Sequence, residues 1–273
     1  MKIIKPVLWI LGLILLYQVV ALVFLLGIAA FTGDLEDIAL MSADHQTLAL
    51  LFTQIVMGLI FFSMVRKKDA KTFLRIKPIK PIMLVWAFVA GLLLINVSGL
   101  LVGVMSVVIP DQLEAYIEAV EASIGGANPL LAFVVVVIGA SLVEEVMLRG
   151  LFFRKFENVV NGTVLVILSG LFFGVFHLNI IQGVFTSVIG IFFALGFYWT
   201  KSLWVPIFMH AGNNFFAWAA GNFIPEAWLE SIAFNAISYG LLIFVAPYAL
   251  YQMYLYYKNQ DVSDITYENS LVE

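Results

Sequence analysis

The sequence predicts an all-α polytopic membrane protein of about eight transmembrane helices with both termini cytoplasmic. Three observations carry that prediction: the composition, a series of span-length apolar segments, and the placement of charge. Hydrophobic residues make up 63% of the 273 residues and charged ones 12%, against roughly 25% charged in a soluble globular domain. Apolar segments of about 20 residues, the helical length that crosses a hydrocarbon core, recur at 7–31, 47–65, 82–109, 129–148, 162–180, 182–199, 203–220 and 231–257. With eight spans and the N-terminus inside, all 14 basic residues fall on one side, which the positive-inside bias makes cytoplasmic.

The first segment follows Lys2 and Lys5. It is as long as a full span and lacks a small-residue cleavage site, so it reads as an anchor. An acidic loop with Asp34, Glu36, Asp37 and Asp44 leads into the second, and His45 in that loop is expected to be solvated surface. The basic run Arg66, Lys67, Lys68, Lys71, Arg75, Lys77 and Lys80 reads as a topology signal before the third span, in which Gly99 and Gly103 are spaced for helix packing. Asp111, Glu114, Glu118 and Glu121 fill the opposite loop. After the fourth span, Phe152, Phe153 and Phe156 alternate with Arg154 and Lys155 as in an interfacial segment. A break around Leu178, Asn179 and Ile180 divides the fifth from the sixth, and Pro206 suits the first turn of the seventh. Tyr251, Tyr254, Tyr256 and Tyr257 form an interfacial belt on the eighth. The stretch 259–273 is a polar C-terminal tail, expected to be disordered.

Residues 1–273 thus read as a single integral membrane domain with the lipid bilayer as partner. Absence of cysteine excludes disulfides, thiolate metal sites and a cysteine nucleophile, and no nucleic-acid or nucleotide motif occurs. Chemistry is concentrated in the fourth to seventh segments. Glu144 and Glu145 stand side by side in apolar sequence, where each ionised carboxylate costs several kcal/mol unless it has a partner or a wet cavity, about 2.5–3.5 kcal/mol by insertion scales. They lie about 100° apart on a helix. Arg149, four residues after Glu145, suits that carboxylate as an intrahelical partner, which leaves Glu144 for a cavity.

His177 follows Phe173 by one helical turn, with Gly170 and Gly174 on a face that admits a close neighbour; satisfaction by a backbone carbonyl is its plain structural reading. His210 and Asn214 are one turn apart and share a face, with Asn213 pointing elsewhere; a local His–Asn hydrogen bond is the plain reading there. Taken together they are the parts of a hydrolase. A lone carboxylate in an apolar pocket suits taking a proton from water, a histidine beside it orients that water, and His210 and Asn214 can donate to the oxygen that becomes negative.

The stretch 144–149, EEVMLR, resembles an EExxxR motif, 173–177, FGVFH, an FxxxH motif, and 210–214, HAGNN, an HxxxN motif. In that order they are similar to the motifs of the CPBP intramembrane proteases, a family that includes type II CAAX-prenyl endopeptidases and bacterial abortive-infection or bacteriocin-immunity proteins. The resemblance covers 129–220 as a catalytic core. It implies an intramembrane endopeptidase acting on a membrane-associated peptide or protein, with Glu144 as general base, His177 helping to activate water, and His210 with Asn214 stabilising the oxyanion. Glu145, Arg149 and Phe173 are then supporting residues. No cofactor is expected, since HExxH is missing; the alternative is zinc held by Glu144, His177 and His210, for which Asn214 is a poor fourth ligand. A cell membrane, bacterial plasma membrane rather than organelle, is the expected location. The alternative function is a non-catalytic membrane protein, either a bacteriocin-immunity scaffold or a proton-coupled transporter. A carrier tends to show paired repeats, whereas here the buried polar groups concentrate between 144 and 214.

Depth sets a condition on this reading. Glu144 and His210 lie near basic boundaries, whereas His177 is 15 residues past Gly162. Convergence requires that 152–162 return as an interfacial segment, or that the 162–180 helix tilt or sit inward.

Overall fold

The computed structural model describes residues 2–33, 35 and 41–259; Asp34, Glu36 and Asp37 of the acidic loop and the tail from 260 lie outside the described residues. The described chain is helical: α1 (Ile4–Thr32), α2 (Ala43–Val65), the single turn α3 (Ala70–Phe73), α4 (Pro81–Val108), α5 (Pro110–Ile124), α6 (Pro129–Phe156), α7 (Gly162–Phe176), α8 (Ile180–Thr200), α9 (Trp204–Phe223) and α10 (Ile232–Lys258), with one further turn at Glu226–Leu229. Local chemistry sets the starts. Proline occupies the first turn of α4, α5 and α6, where its missing N–H costs nothing. Side chains of Ser42, Asn128, Asn161, Asn179 and Ser231 accept from free N–H groups at the starts of α2, α6, α7, α8 and α10.

Among the described residues six helices, α1, α2, α4, α6, α8 and α10, are long and apolar enough to cross a membrane. The chain is an all-α polytopic membrane protein. The other two of the eight expected spans differ for separate reasons. α7 has 15 residues, about 22 Å at 1.5 Å per residue, short of a hydrocarbon core of about 30 Å. α9 has 20 residues but carries His210, Asn213, Asn214 and Asn222, which lower its hydropathy. Leu8, Leu15, Leu22, Phe62, Ile243 and Phe244 are exposed on the outer faces of α1, α2 and α10, as lipid contact requires.

α6 is longer than its sequence suggested. It continues past Arg149 to Phe156 through two π-helical turns, Phe133–Gly139 and Val146–Phe152. Phe152, Phe153 and Phe156 are therefore buried core and not interfacial: the rings of Phe152 and Phe156 stack at 4.3 Å, and Phe153 meets Phe197 of α8 edge-on at 4.8 Å. This also removes the depth conflict. Glu144 lies 12 residues before the end of α6 and His177 15 residues after the start of α7, about 18 and 22 Å in from the turn that joins them.

The basic segment between α2 and α4 is built into that end of the bundle. Arg154 donates to the Phe73 and Thr72 carbonyls, Arg75 and Arg154 both pair with Glu157 (2.7 and 3.1 Å), and Ser202 donates to the Lys77 carbonyl. At the other end Asp44 accepts from the Asn128 N–H, and Gln46 and Thr47 donate to carbonyls at the end of α5. His45 is half-buried at the start of α2.

Backbone contact fixes the helices around the site. A Cβ on Gly91 of α4 would overlap the Met209 carbonyl of α9, and one on Gly212 the Phe88 carbonyl. Gly170 and Gly174 lie equally close to Ser187 and Gly183 of α8. Of Gly99 and Gly103, expected to mark packing, only Gly99 faces another helix: a Cβ there would meet the Tyr239 hydroxyl of α10 at 3.5 Å, an ordinary contact, and one on Gly103 would meet nothing within 4 Å among the described residues. Gly91→Ala is accordingly expected to destabilise the protein by about 1–3 kcal/mol through overpacking, and Gly103→Ala to be neutral or slightly stabilising. Thermal unfolding in detergent measures both.

Candidate active site

Glu144, His177, His210, Asn213 and Asn214 border one cavity of about 350 Å³. That is room for several waters, each occupying about 30 Å³ in the liquid. The wall is completed by residues of α1, α2, α6 and α8, among them Tyr17, Gln18, Gln54, Gln182 and Thr186.

The two adjacent glutamates are separated by the helix twist. Glu145 is 0% exposed, as is Arg149, and the guanidinium Nη1 donates to Glu145 Oε1 at 2.9 Å. Arg149 is held further by a bond to the Gly190 carbonyl and by the rings of Phe173 and Phe193, at 5.3 and 5.8 Å. The same Glu145 oxygen accepts from His210 Nδ1 at 2.9 Å. Because the carboxylate already serves Arg149, the imidazole proton is on Nδ1, and Nε2 faces Glu144 Oε2 at 3.9 Å, too far for a direct hydrogen bond. Arg149, Glu145, His210 and Glu144 thus form a chain from core to cavity.

His177 caps the end of α7. Its Nδ1 lies 2.8 Å from the Phe173 carbonyl, which can only accept, so Nδ1 carries the proton and Nε2 the lone pair. Phe173 sits between the two imidazoles, edge-on to His177 at 5.0 Å and to His210 at 5.4 Å, while Phe193 stacks on His210 at 5.3 Å. Rotation of either ring would have to displace a buried phenylalanine.

Asn214 donates to the Val136 carbonyl at 2.8 Å and not to His210. That carbonyl lies in the π-helical turn Phe133–Gly139, where the neighbouring Val135 carbonyl likewise accepts from Gln54 at 3.0 Å. Asn213, expected to point away, borders the same cavity and is more buried than Asn214. Its amide donates to Asn214 Oδ1 at 3.4 Å. The sequence reading also missed Tyr17, Gln18 and Gln54, on the first two helices. Gln18 and Gln54 are carboxamides within apolar spans, the signal that singled out the histidines.

No group of three or more His, Asp or Glu side chains that could hold a metal ion occurs among the described residues. Glu144, His177 and His210 border one cavity without converging as a ligand set, and His210 Nδ1 and the Asn214 amide nitrogen have protein partners.

Fold and site together define a polytopic membrane protein with a buried glutamate–histidine cluster facing a shared cavity. Residues 126–216 match the family model described as Type II CAAX prenyl endopeptidase Rce1-like, and this third of the chain is a CAAX-protease family domain. That assignment supports a peptidase role and covers α6 to α9 up to just beyond Asn214. No curated protein matches the chain, and no solved structure does.

Proposed function

We propose that the protein is an intramembrane endopeptidase that hydrolyses a peptide bond of a membrane-associated peptide or protein with a glutamate-activated water. The observation that carries this reading is the single cavity to which separate helices bring Glu144, His177, His210 and Asn214. Glu144, without an Arg or Lys partner among the described residues, takes a proton from water as the oxygen adds to the carbonyl carbon. His177 accepts the water's second hydrogen at Nε2 and so orients it. Asn214 uses one amide hydrogen on Val136 and offers the other to the developing oxyanion. His210, with Nδ1–H on Glu145, turns Nε2 towards Glu144 across the cavity. Collapse breaks the C–N bond, and the leaving nitrogen takes the proton held on Glu144. Substrate enters a core at 129–220 within a single membrane domain.

The basic turns meeting at one end of the bundle and the acidic elements at the other support placing both termini and the basic end on the cytoplasmic side, and a bacterial plasma membrane is the location proposed. The test is cleavage of a mixed library of membrane peptides by the detergent-purified protein. Cleavage at neutral pH that survives exhaustive chelation is expected. Loss of cleavage on chelation, with recovery on adding zinc, would replace the metal-free mechanism; no cleavage under any condition would refute the peptidase reading.

A further inference from the structure

The hydrogen-bond donors around the cavity are largely committed to the protein. His177 gives its N–H to the Phe173 carbonyl, His210 to Glu145, and Asn214 one amide hydrogen to Val136. Of the two hydroxyls on the wall, that of Thr186 goes to the Gln182 carbonyl at 2.6 Å. The other belongs to Tyr17 of α1, which is 6% exposed and has no hydrogen-bond partner among the described residues. The side chain is buried but its hydroxyl is not sealed off, so a ligand or water in the cavity can meet it.

Tyr17 is held firmly. Its ring meets Phe176 edge-on at 4.8 Å and 76°, and the adjacent Gln18 donates to the Phe176 carbonyl at 2.8 Å. Both contacts are to the residue before His177. The phenol is therefore fixed at the level of the cavity histidines, on the same wall as Glu144, and close enough to feel the Glu144 charge. It belongs to neither the matched domain nor the three sequence motifs.

We propose that Tyr17 is a further catalytic residue whose hydroxyl donates a hydrogen bond to the substrate carbonyl oxygen as it becomes an oxyanion. The role rests on the hydrolysis proposed for the same cavity. As water loses a proton to Glu144 and its oxygen bonds to the carbonyl carbon, the C=O π pair moves onto oxygen, where the Tyr17 O–H meets it. When the C–N bond breaks, the pair returns to re-form C=O and the leaving nitrogen takes the proton from Glu144. Tyr17 keeps its own proton throughout. It supplies a donor separate from His210, whose Nδ1–H is turned to Glu145.

Tyr17→Phe removes the hydroxyl and keeps the ring against Phe176. In the full-length protein, kcat is expected to fall about 100-fold, the scale for loss of one oxyanion donor, with KM and the thermal midpoint unchanged. Should Tyr17→Phe unfold, ring-fluorinated tyrosine at 17, which keeps the shape and strengthens the donor, must alter kcat; an unchanged kcat there overturns the role. A wild type whose cleavage is abolished by Glu144→Gln but retained in Tyr17→Phe overturns the Tyr17 assignment alone. A wild type that cleaves nothing overturns the peptidase reading and the role of Tyr17 with it.

Discussion

Glu144→Gln is expected to lower the cleavage rate by about 10³-fold, within the range for loss of a positioned general base, while leaving the thermal midpoint close to that of the wild type. Glutamine has the shape of glutamate and can still touch water, but it cannot take a proton. The fold does not depend on the charge, because Glu144 stands 3.9 Å from His210 and has no other ion-pair partner among the described residues. Glu144→Asp should fall between the two, since the shorter side chain withdraws the carboxylate from the water by one methylene. Turnover of a fluorogenic membrane peptide, read beside thermal unfolding, checks the prediction. A Glu144→Gln protein with wild-type turnover would place the base elsewhere.

The largest expected effect on stability belongs to Arg149. Replacing it with leucine strands Glu145, which is 0% exposed, as an uncompensated charge, and breaking a buried pair by removing one partner costs about 3–5 kcal/mol. Loss of the bond to the Gly190 carbonyl adds to this. The double variant Glu145→Leu with Arg149→Leu should recover most of that stability, because both charges are then gone. It should not recover activity, since His210 Nδ1 loses the acceptor that fixes its ring. Denaturation in mixed micelles measures the first effect and the peptide assay the second. An Arg149→Leu protein as stable as the wild type would mean that the pair contributes no net stability.

Much of this arrangement is legible in the sequence because a bilayer makes polar residues conspicuous. Glu144, Glu145, His177 and His210 stand out in apolar text, and their placement follows from helix geometry: the i,i+4 spacing alone pairs Glu145 with Arg149. The break at Leu178 is equally local, since that residue adopts a positive φ of 50° and Asn179 caps α8. What the sequence hides are long-range effects. Arg154 looks like a span boundary until its bonds to Phe73 and Thr72 appear, and α6 then runs through it. Gly91 looks no different from Gly103, yet only one of them lies against another backbone. The site's use of α1 and α2 is hidden for the same reason: nothing local says that Tyr17 will meet Phe176, 159 positions later in the chain.

Two carbonyls of the π-helical turn of α6, at Val135 and Val136, also accept from side chains of α2 and α9, Val135 in addition to the Ala140 N–H within the helix. What those amides grip is main chain. Apart from Gly139, against whose bare Cα the Gln54 carboxamide lies, apolar residues can exchange with one another along 133–139 without loosening either grip. A single inserted or deleted residue is another matter, because it would carry Glu144 about 100° around the helix and away from the water it serves. The exposure of this stretch to mutation is thus one of reading frame within the helix, tolerant of spelling and intolerant of count.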